Sequence, residues 1–488
     1  MKKNLFMVAA VALMAMVSCN KEEVNQSGPE VAPEPSYYVE FTAQIDNEET
    51  PAPSPAPAQT QTRTAYDETN NTTKWIDGDL ISVNGKKFKI KELAADGLSA
   101  TFINDEELGE DFGAPFTAIY PYNATEGSAV VPSTQTVTDG TFADESVVTV
   151  AYSAENNTLS FKHVTSVVKF QVATEGVSEL TFSSSVALAG TISVNANEGG
   201  EPTYEAIAGS KTITVKPASG TFSVGETYYV SVLPTVGEAE TKVDFAIKTE
   251  GVTVKSGNVN FKRNVMMNAG SIQVNYTFLK PNANWILANA RFAAYFFEGE
   301  SNLWVDMKAV DGIYRCVVPQ GYTNVIYGRM NPSSSANGWT ENTQLWNKTS
   351  DLKVQTTTTN CYVVHIEEWN EGKGLWLTVS DAKRILYLLP TAEWDKENAR
   401  FAAYFYGNGE KWESMTKYDA TNSRFYVIPP AGYPNVIFCR MNGATSANNW
   451  DNRWNQTENL TIPTNGNNTC EISDFWNGNG AKGTWSKK

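Results

Sequence analysis

Up to about Asn275 the chain alternates apolar and polar residues in short runs, among them TKWIDGDLISV, KKFKI, TISV, KTITVKP, YYVSVLP, KVDFAIKT and VNFK, separated by Gly, Asn and Asp. A period of two sends successive side chains to opposite faces of a strand. Many short strands parted by turn residues predict sandwich-type all-β structure. No stretch carries a convincing amphipathic helical pattern. In WIDGDLISV, Trp75, Ile81 and Val83 are read as core and Asp77, Gly78 and Asp79 as a tight turn. In LSFKHVTSVVKFQV, Phe161, Val167, Val168 and Phe170 are read as a long buried strand or pair.

The last part of the chain is written twice. ARFAAYFFEGESNLWVDM starts at Ala290 and ARFAAYFYGNGEKWESM at Ala399; Trp285 matches Trp394, Arg291 matches Arg400, Trp304 matches Trp412, Met307 matches Met415, Trp339 matches Trp450 and Trp376 matches Trp485. An offset of 109 residues, Arg291 to Arg400, is too long for a solenoid unit and suits two independent domains, 276–380 and 384–488. Strand parity splits each aromatic run. Phe292, Ala294 and Phe296 face one way, and Ala293, Tyr295 and Phe297 the other; the second copy sets Phe401, Ala403 and Phe405 against Ala402, Tyr404 and Tyr406. One face is core. The other carries two aromatics on a small-residue background, beside which Trp304 or Trp412 can return after a Gly/Asn-rich turn.

Adjacent aromatic faces on a rigid sheet suit sugar rings, whose C–H groups pack on them while hydroxyls find amide and carboxyl partners. Tyr295, Phe297 and Trp304, and Tyr404, Tyr406 and Trp412, are the leading carbohydrate-binding candidates. Trp339, Trp346, Trp450 and Trp454, in polar Asn-rich loops, and Gln456 are second-rank candidates. Trp285, Trp376, Trp394 and Trp485 are assigned to structure.

At the other end, MKK precedes an apolar run from Leu5 to Val17, then Ser18 and Cys19. This is a signal segment rather than a membrane span, and it resembles a bacterial lipobox, which implies lipidation of Cys19. Lys21, Glu22 and Glu23 resemble the export signal of Bacteroidetes lipoproteins displayed on the outer face of the outer membrane. Residues 20–36 read as a polar spacer. The net charge of −16, with no basic run, argues against a nucleic-acid partner.

The order FTAQI, TRT at Thr62 to Thr64, KWIDGDLISV, FTAIYPY, VPSTQTV and LSFKHVTSVVKFQV resembles the fimbrillin-like proteins of the Bacteroidetes. That likeness implies a transthyretin-like double β-sandwich over 37–275, and raises Arg63 as a processing site that would free a groove for strand exchange between pilus subunits. The two repeats resemble starch-binding carbohydrate-binding modules of family 26, through AAYFF or AAYFY, the following Trp and Met, the GY-x-NVI stretch and QT-x-NL at Gln456 to Leu460. This implies compact sandwiches that bind α-glucan through two tyrosine-type rings and a tryptophan. Phe297 departs from that pattern by lacking the phenolic hydroxyl.

Cys316 with Cys361, and Cys439 with Cys470, invite a disulfide reading in an exported chain. The supposed partners do not correspond between copies, since Cys439 aligns with Gly328, so buried free thiols are favoured. His163 and His365 lack companions at metal-ligand spacing. Glu367 and Glu368 find no carboxylate pair at the matching place in the second copy, and no phosphate loop or nucleophile elbow appears. The expectation is an all-β, non-enzymatic surface lipoprotein without metal or cofactor. Its partner is a polysaccharide, α-glucan favoured. The alternative is an accessory or tip pilus subunit whose partners are other pilus subunits and a glycan or protein.

Overall fold

The computed structural model describes residues 38–46, 65–67, 72–198, 200–235, 241–419, 422–475 and 480–488. Cys19 and Arg63 lie outside these residues. The fold is all-β, in four units, the first two sharing the chain to about residue 275 and the last two following in tandem. The only α-helix among the described residues is Val379–Arg384.

The first unit closes on itself as a seven-stranded barrel in the order Glu40–Ile45, Thr158–His163, Thr149–Ser153, Phe116–Tyr120, Leu80–Val83, Lys86–Leu93, Ser99–Asn104 and back to the first. Glu40–Ile45 closes it, running parallel to Thr158–His163 and antiparallel to Ser99–Asn104. Strict alternation along this strand buries Phe41, Ala43 and Ile45. The barrel fills with rings: Trp75 meets Phe102, Tyr120 and Phe161 edge to face at centroid distances of 5.2, 5.4 and 5.2 Å. The Asp77–Gly78–Asp79 turn forms as expected, with Gly78 at φ +90° and the buried Asp79 carboxylate accepting from Ile76 N (3.0 Å) and Tyr120 Oη (3.1 Å). That pairing is what lets a carboxylate sit inside.

The second unit packs one five-stranded and two three-stranded sheets around a shared core of aliphatic side chains and the rings of Phe170, Phe182, Phe222, Tyr228, Phe245 and Phe261. Ser128–Val131 and Thr134–Val137 leave the barrel early to pair with Ala189–Asn195 and Thr212–Pro217 before the chain returns to Thr149–Ser153. Barrel and second unit are therefore interleaved along the sequence. His163 is buried beside Thr73 near their junction (Oγ1 to Nε2, 3.3 Å), and burial holds its imidazole down to about 4.

The repeats are two copies of one sandwich. In the first, a five-stranded sheet centred on Tyr276–Lys280 faces a sheet ordered Ser301–Asp306, Arg291–Glu298, Asn324–Met330 and Leu345–Lys348. In the second, Leu386–Leu389 and the sheet Glu410–Ser414, Arg400–Tyr406, Asn435–Met441 and Arg453–Gln456 take the same places. Trp285 lies fully buried and stacked on Phe292 (6.4 Å, 8°), as Trp394 is on Phe401 (6.3 Å, 15°). Trp376 and Trp485 pack against the two cores. All four described cysteines are free and buried, and burial pushes the thiols of Cys361, Cys439 and Cys470 up to about 12.

The two modules do not hang on a loose linker. Thr378 caps the connecting helix by accepting from Asp381 N at 3.0 Å, and Lys280 Nζ donates to Ala382 O at 2.5 Å. Ile366, Ile385 and Tyr387 form an apolar cluster with Leu375, Tyr418 and Tyr426. The His365 imidazole stacks on Tyr418 at 4.1 Å. Glu367 is held by Lys488 at 2.7 Å and by Arg424, and Glu368 accepts from Glu371 N. These two acids are thus engaged in local structure.

Candidate functional site

The site is built by cross-strand pairing. Tyr295 lies directly opposite Trp304 on one side and Ile326 on the other; Tyr404 lies opposite Trp412 and Ile437. In a pleated sheet, directly paired residues share a face, so Tyr295, Phe297 and Trp304 project together, away from the core rings Phe292 and Phe296. Tyr295 and Phe297 sit nearly parallel (5.8 Å, 27°), as do Tyr404 and Tyr406 (5.9 Å, 17°). Trp304 tilts against Tyr295 at 5.1 Å and Trp412 against Tyr404 at 5.0 Å. All six leading candidates therefore fall into two matching clusters.

A fourth ring joins each cluster from a loop. Trp339 meets Tyr295 at 4.7 Å and Trp304 at 4.8 Å; Trp450 meets Tyr404 at 4.6 Å and Trp412 at 4.8 Å. These tryptophans remain 42% and 39% exposed while Tyr404 is 8% exposed. The tyrosine is thus the floor and the loop tryptophan a rim. Burial, and then the neighbouring Glu410 carboxylate, holds the Tyr404 hydroxyl above its ordinary range.

What brings the loop back is an arginine. Arg291 opens the aromatic strand and donates to Ser334 O (2.8 Å), Ala336 O (2.7 Å), Asn337 Oδ1 and Asp306 Oδ1 (3.0 Å). Arg400 does the same for Thr445 O (2.6 Å), Ala447 O (2.5 Å) and Asn448 Oδ1. The planar fork ties successive carbonyls to the sheet, and Trp339 or Trp450 follows two residues after the last contact.

A cation also lies over each rim ring, though from a different position: Lys348 Nζ is 5.3 Å from Trp339 and the Arg453 guanidinium 5.2 Å from Trp450. Beneath the rings the copies exchange volume. A Cβ at Gly328 would come within 2.8 Å of Met330 and 3.0 Å of Leu345; the second copy holds Cys439 at that place and Arg453 where the first has Leu345.

Trp346 and Trp454 lie elsewhere. They stack on Arg329 (4.5 Å) and Arg440 (4.7 Å), buried arginines that cap the core by donating to Trp285 O and Trp394 O, each at 2.7 Å. Gln456 accepts from Arg453 and pairs with Cys439 in the sheet beside the platform. Arg291, Arg400, Lys348, Arg453 and Glu410 were not singled out as site residues by sequence reasoning. The matched arginine at the head of both aromatic strands was the one available signal. Among the described residues no group of three or more His, Cys, Asp and Glu side chains is placed to hold a metal ion.

No protein-family model and no curated protein matches the chain. Among solved structures, it is similar to a candidate cell adhesion protein from Bacteroides uniformis at 16% identity, covering 41% of this chain and 88% of that one with a TM-score of 0.27. It is also similar to a fimbrial assembly protein from Parabacteroides distasonis, at 10% identity over 58% of this chain and 100% of that one, TM-score 0.22. A third likeness is to family 41 carbohydrate-binding modules from streptococcal virulence factors, described for α-glucan recognition, at 10% identity over 40% of this chain and 92% of that one, TM-score 0.16. Likeness at this level carries no residue of theirs onto this chain.

Proposed function

We propose that this protein is a non-catalytic, lipid-anchored surface protein that captures polysaccharide, α-glucan above others, on two aromatic platforms held out by the barrel and the second unit. The observation that carries the reading is the duplication of a partly exposed four-ring cluster. Tyr295, Phe297, Trp304 and Trp339 on one module recur as Tyr404, Tyr406, Trp412 and Trp450 on the other, each with a loop clamped by arginine. A shallow ring surface suits a chain that lies along it, and α-glucan is chosen on the sequence resemblance of the repeats. The shared apolar cluster at the module junction favours bivalent capture, since a second site held nearby raises effective concentration on a repeating polymer.

Titration calorimetry of residues 20–488 with maltoheptaose tests this. Binding is expected, and Tyr404→Ala with Trp412→Ala should weaken the second module's site roughly a hundredfold, about 2.8 kcal/mol. A folded protein that gives no heat ends the α-glucan reading. The second reading is the pilus subunit, favoured by one observation: Glu40–Ile45 is paired on both sides, so its removal would leave a strand-wide slot. A surface form shortened at Arg63, found by mass spectrometry, would shift the weight to that reading.

A further inference from the structure

The registers arrange each platform as rows of side chains on one face. The middle rows match ring for ring: Trp304, Tyr295, Ile326 and Trp412, Tyr404, Ile437. The row at the hairpin end does not. It reads Asn302, Phe297, Asn324, Lys353 in the first module and Glu410, Tyr406, Asn435, Thr461 in the second. On the far row, Asp306, Ala293, Gly328 and Lys348 stand against Ser414, Ala402, Cys439 and Gln456. The aromatic frame is shared, while the charge in the hairpin-end row is reversed, Lys353 in the first module against Glu410 in the second.

The other charges near each platform reduce this difference but leave the first platform the more positive. In the first module Asp306 is neutralised by Arg291, whereas Glu298 keeps its charge and accepts from the neutral Thr323 and Asn324. Lys353 Nζ donates only to the Asn324 amide oxygen, at 2.7 Å, and Lys348 lies over Trp339. In the second module Arg453 keeps its positive charge, bonded to the neutral Gln456 amide and lying over Trp450, while Glu413 pairs with Lys411 on the opposite face of the edge strand. Glu410 stands beside the Tyr404 hydroxyl. Among the described residues Lys348, Lys353 and Glu410 form no ion pair.

We propose that the two platforms divide their ligands by charge. The first takes glycan segments that bear a carboxylate or another anionic substituent, and the second takes uncharged hexose chains and turns anionic ones away. The inference rests on the platform reading above. A carboxylate offers paired acceptors to neighbouring sugar hydroxyls and repels an anion, whereas ammonium groups donate and attract one. Phe297 lacks the hydroxyl of Tyr406, which leaves the first platform more dependent on Lys353 and Asn324 for polar contact.

The test uses two otherwise complete chains of residues 20–488. Trp412→Ala with Trp450→Ala leaves the first platform alone, and Trp304→Ala with Trp339→Ala leaves the second. Each is titrated at low salt with maltoheptaose and with maltoheptaose oxidised at C6 to carry glucuronate. The first platform should prefer the oxidised probe by roughly two- to fivefold and the second the neutral probe by a similar factor. Lys353→Glu and Glu410→Lys should reverse the two preferences, Glu410→Gln should abolish the second, and both should fade in 1 M salt, where the screening length is about 3 Å. Binding with the same preference on both platforms overturns the division by charge and leaves the glycan reading standing. Absence of binding of either probe to either folded chain overturns both.

Discussion

The barrel core and the two platforms are made of the same residue types at nearly the same spacing. Trp75 meets its three partners at 5.2 to 5.4 Å, and the rings around Tyr404 meet at 4.6 to 5.9 Å. Yet one cluster is closed on every side by a cylindrical sheet, and the other lies on the outside of a sheet whose inner face already has its own rings. Ring density therefore says little about function. What distinguishes the platforms is a second aromatic layer that the fold does not cover, with a rim residue left 39% exposed and charged side chains standing beside it.

The largest effect that separates the two comes from removing a ring. Trp75→Ala, inside the barrel, should destabilise that unit by about 3–5 kcal/mol, the cost of deleting a large buried aromatic and leaving a cavity. Hydrogen exchange of Phe116–Tyr120 under increasing urea would read this, with maltoheptaose affinity unchanged. A loss of affinity with retained barrel protection would mean that the barrel is part of the site.

Next in size is acid. Burial holds His163 and His365 down to about 4, against an ordinary value of 6.5. Both are neutral in the folded chain at pH values where the unfolded chain protonates them, so the unfolded state binds more protons between pH 6.5 and about 4. Stability is full above 6.5 and falls as pH drops through that window, by up to about 1.4 kcal/mol per pH unit for each imidazole. His163→Gln should remove one such slope from the barrel's unfolding and His365→Gln one from the modules', both measured by urea titration at stepped pH. The ring platforms carry no histidine, so affinity per folded molecule should not follow either slope.

A platform ring gives the converse of Trp75. Trp412→Ala should weaken glycan binding by the second module roughly tenfold, about 1.4 kcal/mol, while shifting the unfolding of that module by about 1 kcal/mol. Calorimetry paired with urea titration reads both. A stability loss as large as that of Trp75→Ala would make Trp412 a core residue and remove it from the site.

Much of this contrast was legible in the sequence because strand parity is rigid: once RFAAYFF is a strand, Phe296 and Phe297 must face opposite ways, and they do. The duplication told which rings recur. The closure of the barrel was not legible, since Glu40–Ile45 pairs with Thr158–His163, more than a hundred residues away, and no local pattern encodes that register. Lys353 and Glu410 were hidden for a related reason. They reach the same row of the platform through different strands, so an alignment of the repeats sets neither against the other. Trp339 and Trp346 looked equivalent in Asn-rich sequence, but one returns to the platform through the Arg291 clamp while the other caps Arg329.

The smallest expected effect tests that clamp. Arg400 holds the loop before Trp450 with a planar fork, Nε to Thr445 O at 2.6 Å and Nη2 to Ala447 O at 2.5 Å, so Arg400→Lys keeps the charge and loses the geometry. One ammonium cannot reach both carbonyls in the same directions. The loop should loosen and Trp450 should leave Tyr404 and Trp412 part of the time. Because the floor of the platform is set by strand pairing rather than by the loop, binding should weaken by only about three- to fivefold, under 1 kcal/mol, with the loss in a faster dissociation rate. Iodide quenching of the indole fluorescence should increase in Arg400→Lys, and the increase should vanish when the same substitution is made in a Trp450→Phe chain. If the lysine variant keeps both its quenching and its affinity, the loop is held by its own Asx turn at Asn442, and the arginine is ornament to the platform rather than its hinge pin.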